Sequence, residues 1–411
     1  MNGPTLCMAC AAPLTRTFLD LGRQPLANAL VPPERADVPD PVYPLHARVC
    51  DACHLVQVDR LIEPQEIFAD YPYFSSYSDT WNAHCDRLAG DMAARLSLGA
   101  GSRVVEIGSN DGALLACFAR RSIPALGVEP ASNVAMAALD RGLATDIAFF
   151  GEATARRLAA SGWEADLIVA TNVLGQAPDP NDFLAGVRAL LKPDGLFGVE
   201  FPHLLNLIRE VQFDTIYHEH FSYLSLTALA PLFARNGLVA VAVERLPVHG
   251  GSLRVLAARA GSRHPVGESV AKVAGAEQAA GLDRPQGYEG FARRVEAVRE
   301  GFAAFLAAAR AEGRTIVGYG AAAKGNTFLN HVGAGPEDIG FVVDRNPAKQ
   351  GRLLPGSRIP VRPVEALAEA RPDYVLILPW NLRDEVVGQL AAVRSWGGRF
   401  VTAVPKIEVI P

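Results

Sequence analysis

Between residues 103 and 202 the chain alternates short β-branched apolar runs with helical stretches. RVVEIGS, ALGVEP, ADLIVATN and GLFGVEFP read as strands, and NDGALLACFARR, ASNVAMAALDRG and NDFLAGVRALLK as the helices between them. That repeat predicts a parallel sheet with helices on its faces and ligands bound beyond the strand C-termini. A second alternation closes the chain. A long helical pattern over 291–312 feeds the strand RTIVGYG, and IGFVVDRN and YVLILP follow as further strands. A length of 411 residues accommodates two or three domains, and 49% apolar content supplies their cores. The net charge of −5, with no basic block, argues against binding driven by nucleic-acid phosphates. No apolar run approaches the ~18–20 residues that cross a bilayer, and the first residues do not read as a leader. The expectation is a soluble cytoplasmic protein.

Four of the six cysteines form two C-x2-C pairs, Cys7/Cys10 and Cys50/Cys53. Thiolates at this spacing reach one tetrahedral ion from a tight turn, and two such turns complete a closed site. Paired disulfides would need an oxidising compartment, and a redox pair would sit at a strand-to-helix turn that is not seen. The expected ligand is therefore zinc, with a structural role because no coordination position stays open. His54 is left out of the set. Cys85 and Cys117 read as isolated thiols.

The first strand of the central alternation ends in Glu106-Ile107-Gly108-Ser109-Asn110-Asp111-Gly112, and the second in Glu129. Glycines here let a ligand approach the backbone and open the next helix sharply. The acidic flanks would repel a pyrophosphate but suit a sulfonium and an ammonium, and Glu129 can accept both hydroxyls of a ribose. Asn172 closes the next strand and would border the same pocket. The combination resembles the donor-binding motif of class I S-adenosylmethionine-dependent methyltransferases. Upstream, Phe68, Tyr71, Tyr73, Phe74, Tyr77 and Trp81 crowd fourteen positions. Most of these rings are expected to pack, with one or two phenols free to face a cleft.

After the strand ending at Pro202 come His203 and then Tyr217-His218-Glu219-His220. Imidazoles, a phenol and a carboxylate together offer general acid–base chemistry near neutrality. An extended backbone would put Tyr217 and Glu219 on one side and His218 and His220 on the other.

Over nearly its full length the chain carries, in order, the paired CxxC motifs, FSSYS at 74–78, EIGSNDG at 106–112, NVL at 172–174, YHEHFSYLS at 217–225, HGGSLRV at 249–255 and GYGAAAKGNTFLN at 318–330. In these strings it resembles the nucleotide-sugar C-methyltransferases of deoxysugar pathways, such as the mycarose- and tetronitrose-forming 3-C-methyltransferases. The resemblance implies an α/β multidomain chain: a zinc-binding domain over 1–66, a Rossmann-like S-adenosylmethionine domain over 67–262, and a Rossmann-like α/β domain over 263–411 that binds the sugar nucleotide. It implies a dTDP-linked 4-keto-deoxysugar as substrate, methylated next to the ketone, at C3 in many relatives and C5 in some. Such a reaction needs a base, stabilisation of the enolate and an aligned methyl donor. His220 is the expected base, with Tyr217 and Glu219 holding the sugar and its oxyanion and Tyr77 approaching from FSSYS. Where relatives read NVLAHV this chain has Gln176 in place of the histidine, a polar contact that cannot move a proton. The same resemblance puts Gly320, Lys324 and Asn326 on the diphosphate. Without it, the turn at 318–325 with Asp344 beyond the next strand reads as a nicotinamide dinucleotide site, and the rival is an NAD-dependent oxidoreductase acting on nucleotide sugars. The chain is expected to act as a monomer.

Overall fold

The computed structural model describes residues 5–59, 62–67, 71 and 74–411, so Phe68 and Tyr73 lie outside the described residues. The chain divides into two compact units that interleave in sequence. The first comprises residues 1–16, 49–205 and 221–287, and the second 17–48, 206–220 and 288–411. No helix among the described residues is long and apolar enough to cross a membrane.

The first unit is built on seven strands: β1 (Val104–Ile107), β2 (Ala125–Val128), β3 (Thr145–Asp146), β4 (Ala165–Thr171), β5 (Leu191–Pro202), β6 (Leu238–Leu246) and β7 (Ser252–Arg259). Their spatial order is β6-β7-β5-β4-β1-β2-β3. Strands β1 to β5 run parallel, whereas β7 is antiparallel to both β5 and β6. Every residue of β1 is buried, as a strand covered on both faces requires. Alternate side chains feed opposite layers. Val105, Ile107, Ile168 and Ala170 pack towards the helices Glu152–Ala160, Pro180–Leu190 and Leu226–Arg235. Val104, Leu167 and Val169 pack towards Asp79–Leu96 and Ala113–Ala119. The direction of winding reverses between β1 and β4, which opens a crevice at their C-terminal ends. Across the sheet, Glu200 of β5 faces Arg254 of β7. Its carboxylate accepts from Arg254 Nε at 2.6 Å and meets His84 Nε2 at 2.7 Å, which ties the helix Asp79–Leu96 to the sheet.

The second unit holds a six-stranded sheet: β8 (Ile316–Tyr319), β9 (Val342–Val343), β10 (Val361–Arg362), β11 (Tyr374–Ile377), β12 (Arg399–Thr402) and β13 (Glu408–Ile410). The order is β10-β9-β8-β11-β12-β13, and only β13 runs antiparallel to its neighbour. The helix Phe291–Ala311 buries Phe291, Val295, Val298, Phe302 and Ala309, an apolar stripe at helical spacing. Phe18, on the strand Arg16–Pro25, stacks on Phe291 with centroids 4.6 Å apart. The segment 206–220 packs into the same unit through Phe213, which meets Phe328 and His331 of the helix Ala323–Val332.

Candidate active site

Both C-x2-C motifs fold as the same knuckle. Ala11 N donates to Cys7 O and His54 N to Cys50 O, and the residue after each second cysteine turns left-handed, with φ of 59° at Ala11 and 61° at His54. His54 is thus a turn residue. The four Sγ atoms lie within 4.8 Å of one another, with Cys7–Cys53 at 3.5 Å and Cys10–Cys50 at 3.6 Å. A tetrahedron of bonds of ~2.3 Å sets sulfurs about 3.8 Å apart, so the donors fit zinc. Gln57 supports them, donating to Cys7 Sγ at 3.2 Å and accepting from Met8 N at 2.9 Å.

At the end of β1 the chain turns through Gly108 (φ 68°), Asn110 (51°) and Gly112 (83°) before the helix Ala113–Ala119 begins. Gly108 is required twice over. Its φ is left-handed, and a Cβ would stand 2.3 Å from Val173 Cγ2. Three carboxylates gather here. Glu106 is buried, and its carboxyl is pushed well up by desolvation and by the charges of Glu129 and Asp111. Glu129, raised by burial, accepts from Asn110 N and Ala131 N, both at 2.9 Å. Asp111 turns to the FSSYS segment and accepts from Ser75 Oγ at 2.8 Å, Ser76 N at 3.2 Å and Ser76 Oγ. Asn110 Oδ1 accepts from Ser75 N at 2.9 Å. Glu106 Oε2, Ser109 Oγ and Asn172 Oδ1 are buried without a partner among the described residues. Acidic groups and unmatched polar atoms around one glycine turn fit a donor that carries a sulfonium, an ammonium and ribose hydroxyls. Tyr77 is half exposed and stacks on Phe74. Gln176 lies in the turn Leu174–Gln176 just beyond Asn172.

In the second unit Tyr217-His218-Glu219-His220 is a tight turn, closed by His220 N donating to Tyr217 O at 2.9 Å. The alternation expected of an extended segment is therefore replaced: Tyr217 and His220 sit side by side, with Tyr217 Oη 2.8 Å from His220 Nε2. His220 Nδ1 donates to the Thr215 carbonyl at 3.0 Å, which fixes the tautomer and leaves the Nε2 lone pair to accept from the phenol. Burial, helped by the Lys324 charge, pushes His220 down to about 4. Glu219 points elsewhere, with both oxygens accepting from Asn28 Nδ2 at 2.9 and 2.7 Å, and burial lifts its carboxyl to about 7. His218 meets Pro44 O, and His203 belongs to the first unit, where it pairs with Glu277 at 2.7 Å.

The glycine-rich turn after β8 is closely packed. A Cβ on Gly320 would lie 2.6 Å from Pro379 Cδ. Lys324 is half-buried, donates to Asn381 Oδ1 at 2.7 Å and lies 4.6 Å from the centre of the Trp380 ring. Asn326 Nδ2 is buried with no partner among the described residues. Asp344, the ribose acceptor of the rival reading, accepts from Ala321 N and Asn346 N at 2.8 Å each and lies 3.9 Å from Lys349. Asn28, Asp214 and Thr215 escaped the sequence reading. Asn28 lies 191 residues from its partner and carries no local signal, whereas Asp214 and Thr215 stand three and two residues before Tyr217.

A thiolate site, an acidic glycine turn at the switch point of a seven-stranded sheet, and a second α/β unit define a zinc-carrying methyltransferase of Rossmann-like fold. Three family models match the chain in turn: a zinc binding domain over residues 7–68, a methyltransferase domain over 81–243, and a C-methyltransferase C-terminal domain over 247–405. The C-methyltransferase NovU of Streptomyces niveus is 38% identical over 404 residues, which is 98% of this chain and 96% of that protein. The chain belongs to the S-adenosylmethionine-dependent C-methyltransferase family. Among solved structures, the 1,6-didemethyltoxoflavin-N1-methyltransferase of Burkholderia thailandensis is 19% identical with a TM-score of 0.36, covering 52% of this chain and 99% of its own. The CcbJ methyltransferase of Streptomyces caelestis is 16% identical with a TM-score of 0.36, covering 49% and 100%.

Proposed function

We propose that the enzyme methylates a carbon next to the ketone of a dTDP-linked 4-keto-deoxysugar, at C3, through an enolate. The observation that carries this reading is the Tyr217–His220 pair, a half-buried imidazole held neutral with its lone pair fixed on Nε2. The donor supplies an electrophilic methyl group on a sulfonium. Glu106 and Glu129, with the backbone turn 108–112 and Asn172, bind and orient it. His220 Nε2 takes the proton from C3, and the bonding pair moves through C4 to the ketone oxygen. Tyr217, released from the imidazole, turns its hydroxyl onto the developing oxyanion. The electron pair then returns through C3 to the methyl carbon, whose bond to sulfur breaks so that the sulfonium leaves as a neutral thioether, and the carbonyl is restored. Glu219, held by Asn28, and Asn326, with its unmatched amide, are placed on the sugar nucleotide. Tyr77 and Gln176 border the donor turn as further substrate contacts. The setting we assign is the cytoplasm, in keeping with six cysteines that form no disulfide, and the working form a monomer.

The test is substrate deuterated at C3 and, separately, at C5. C-methylation at C3 removes the C3 label and leaves one methyl on that carbon by proton NMR. Loss of label at C5 alone would move the attacked carbon, and methylation with both labels kept would overturn the enolate route.

A further inference from the structure

Behind His220 runs a continuous set of contacts for which the reaction as described has no use. Thr215, whose carbonyl fixes the imidazole tautomer, sits in the short turn Phe213–Thr215. Asp214 of that turn is buried, and its Oδ2 accepts from the Trp380 indole Nε1–H at 2.7 Å. The Trp380 ring in turn lies over the Lys324 ammonium, which donates to Asn381. Asp214 Oδ1 has no hydrogen-bond partner among the described residues. A buried carboxylate beside an apolar ring is costly unless something compensates it. The indole N–H and the Lys324 charge together supply that compensation.

We propose that Asp214, Trp380 and Lys324 are positioning residues that hold the 213–215 turn so that the Thr215 carbonyl keeps His220 Nδ1 protonated and Nε2 the accepting nitrogen. The inference rests on the reading of His220 as the base, and it extends that reading to three residues that touch no reacting atom. If the turn shifts, Nδ1 loses its acceptor, the imidazole populates the other tautomer, and the fraction competent to take a proton falls. The Tyr217 contact cannot prevent this, because a phenol can donate to Nε2 or accept from it.

The experiment compares Trp380→Phe, which keeps the ring over Lys324 but removes the N–H, with Asp214→Ala and Asp214→Asn in the full-length protein. Long-range proton–nitrogen NMR reads the tautomer directly, the His220 signals being assigned by their loss in His220→Asn. Turnover is followed in parallel. In the unaltered enzyme Nδ1 carries the proton. Trp380→Phe and Asp214→Ala should show mixed tautomers and a kcat at least tenfold lower, with the acid limb of the pH profile displaced and KM for the sugar within about twofold. Asp214→Asn still offers an oxygen to the indole and should recover the single tautomer. An unmixed tautomer in both Trp380→Phe and Asp214→Ala overturns the positioning role whatever the kinetics. Mixed tautomers at full turnover uphold the positioning and overturn His220 as the base. If either Trp380→Phe or Asp214→Ala fails to fold, an unmixed tautomer in the other overturns the role by itself.

Discussion

His220 is an imidazole whose burial decides both how it reacts and what it costs the fold. Held at about 4 rather than the ordinary 6.5, it stays unprotonated over the range in which most histidines titrate. The acid limb of kcat/KM assigned to the base should therefore lie near pH 4–5, and a limb at 6.5 would show a solvated imidazole instead. Replacement by Asn removes the proton acceptor and should slow turnover by ~10²–10⁴; full activity in His220→Asn would remove the residue from the mechanism. The same depression has a thermodynamic sign. The folded imidazole binds protons less readily than the unfolded one, so its contribution is complete above pH 6.5 and is lost as the pH falls towards 4. At about 1.4 kcal/mol per unit this comes to roughly 3 kcal/mol. Glu219 and Asp214, raised to about 7 and about 6, act in the opposite direction and gain stability on acidification. The clean measurement is thus a difference: urea unfolding at pH 7 and pH 4 should show the enzyme losing about 3 kcal/mol relative to His220→Asn. No change in that difference would contradict the depressed value.

Among the elements, the turn from β1 into the helix Ala113–Ala119 carries the most function per residue, and it was legible because its requirements are local. A β-branched run, a left-handed glycine and a carboxylate at the end of the next strand all leave marks within thirty positions. Gly108→Ala should be severe, since the added methyl meets Val173 at 2.3 Å and φ is 68°. We expect a loss of roughly 1–3 kcal/mol in stability and at least a tenfold weaker affinity for S-adenosylhomocysteine by calorimetry; unchanged affinity would place the donor elsewhere. What sequence could not give is how this turn is held. Asp111 reads as a ligand-facing acid, yet its oxygens are taken by Ser75 and Ser76, thirty-six and thirty-five positions upstream. In the same way YHEH announced its chemistry but not its shape. A hydrogen bond from His220 N to Tyr217 O bends the segment, and alternation along a strand no longer applies. Glu219 depends on Asn28, whose nearest neighbours in sequence say nothing of carboxylates. Motifs built from adjacent residues were readable, whereas partners set by tertiary folding were not.

For the molecule as a whole, the cysteine pairs matter because of where the chain goes between them. Thirty-nine residues separate Cys10 from Cys50, and the stretch 17–48 belongs to the second unit while all four thiols belong to the first. A four-thiolate zinc site therefore pins both ends of an excursion. Closing a loop of this length restricts the unfolded chain by about 4 kcal/mol on the reckoning used for cross-links. Metal analysis should find one zinc per chain. Cys50→Ser should abolish it and lower the unfolding free energy by several kcal/mol. His54→Gly should keep the metal, because glycine adopts the left-handed backbone of that turn at no steric cost. The excursion also carries Asn28, which holds Glu219, so zinc loss should lower turnover even at temperatures where the chain stays folded. A Cys50→Ser protein with full zinc content and unaltered melting would show that the thiols are packed cysteines and that the excursion is pinned by its own contacts alone.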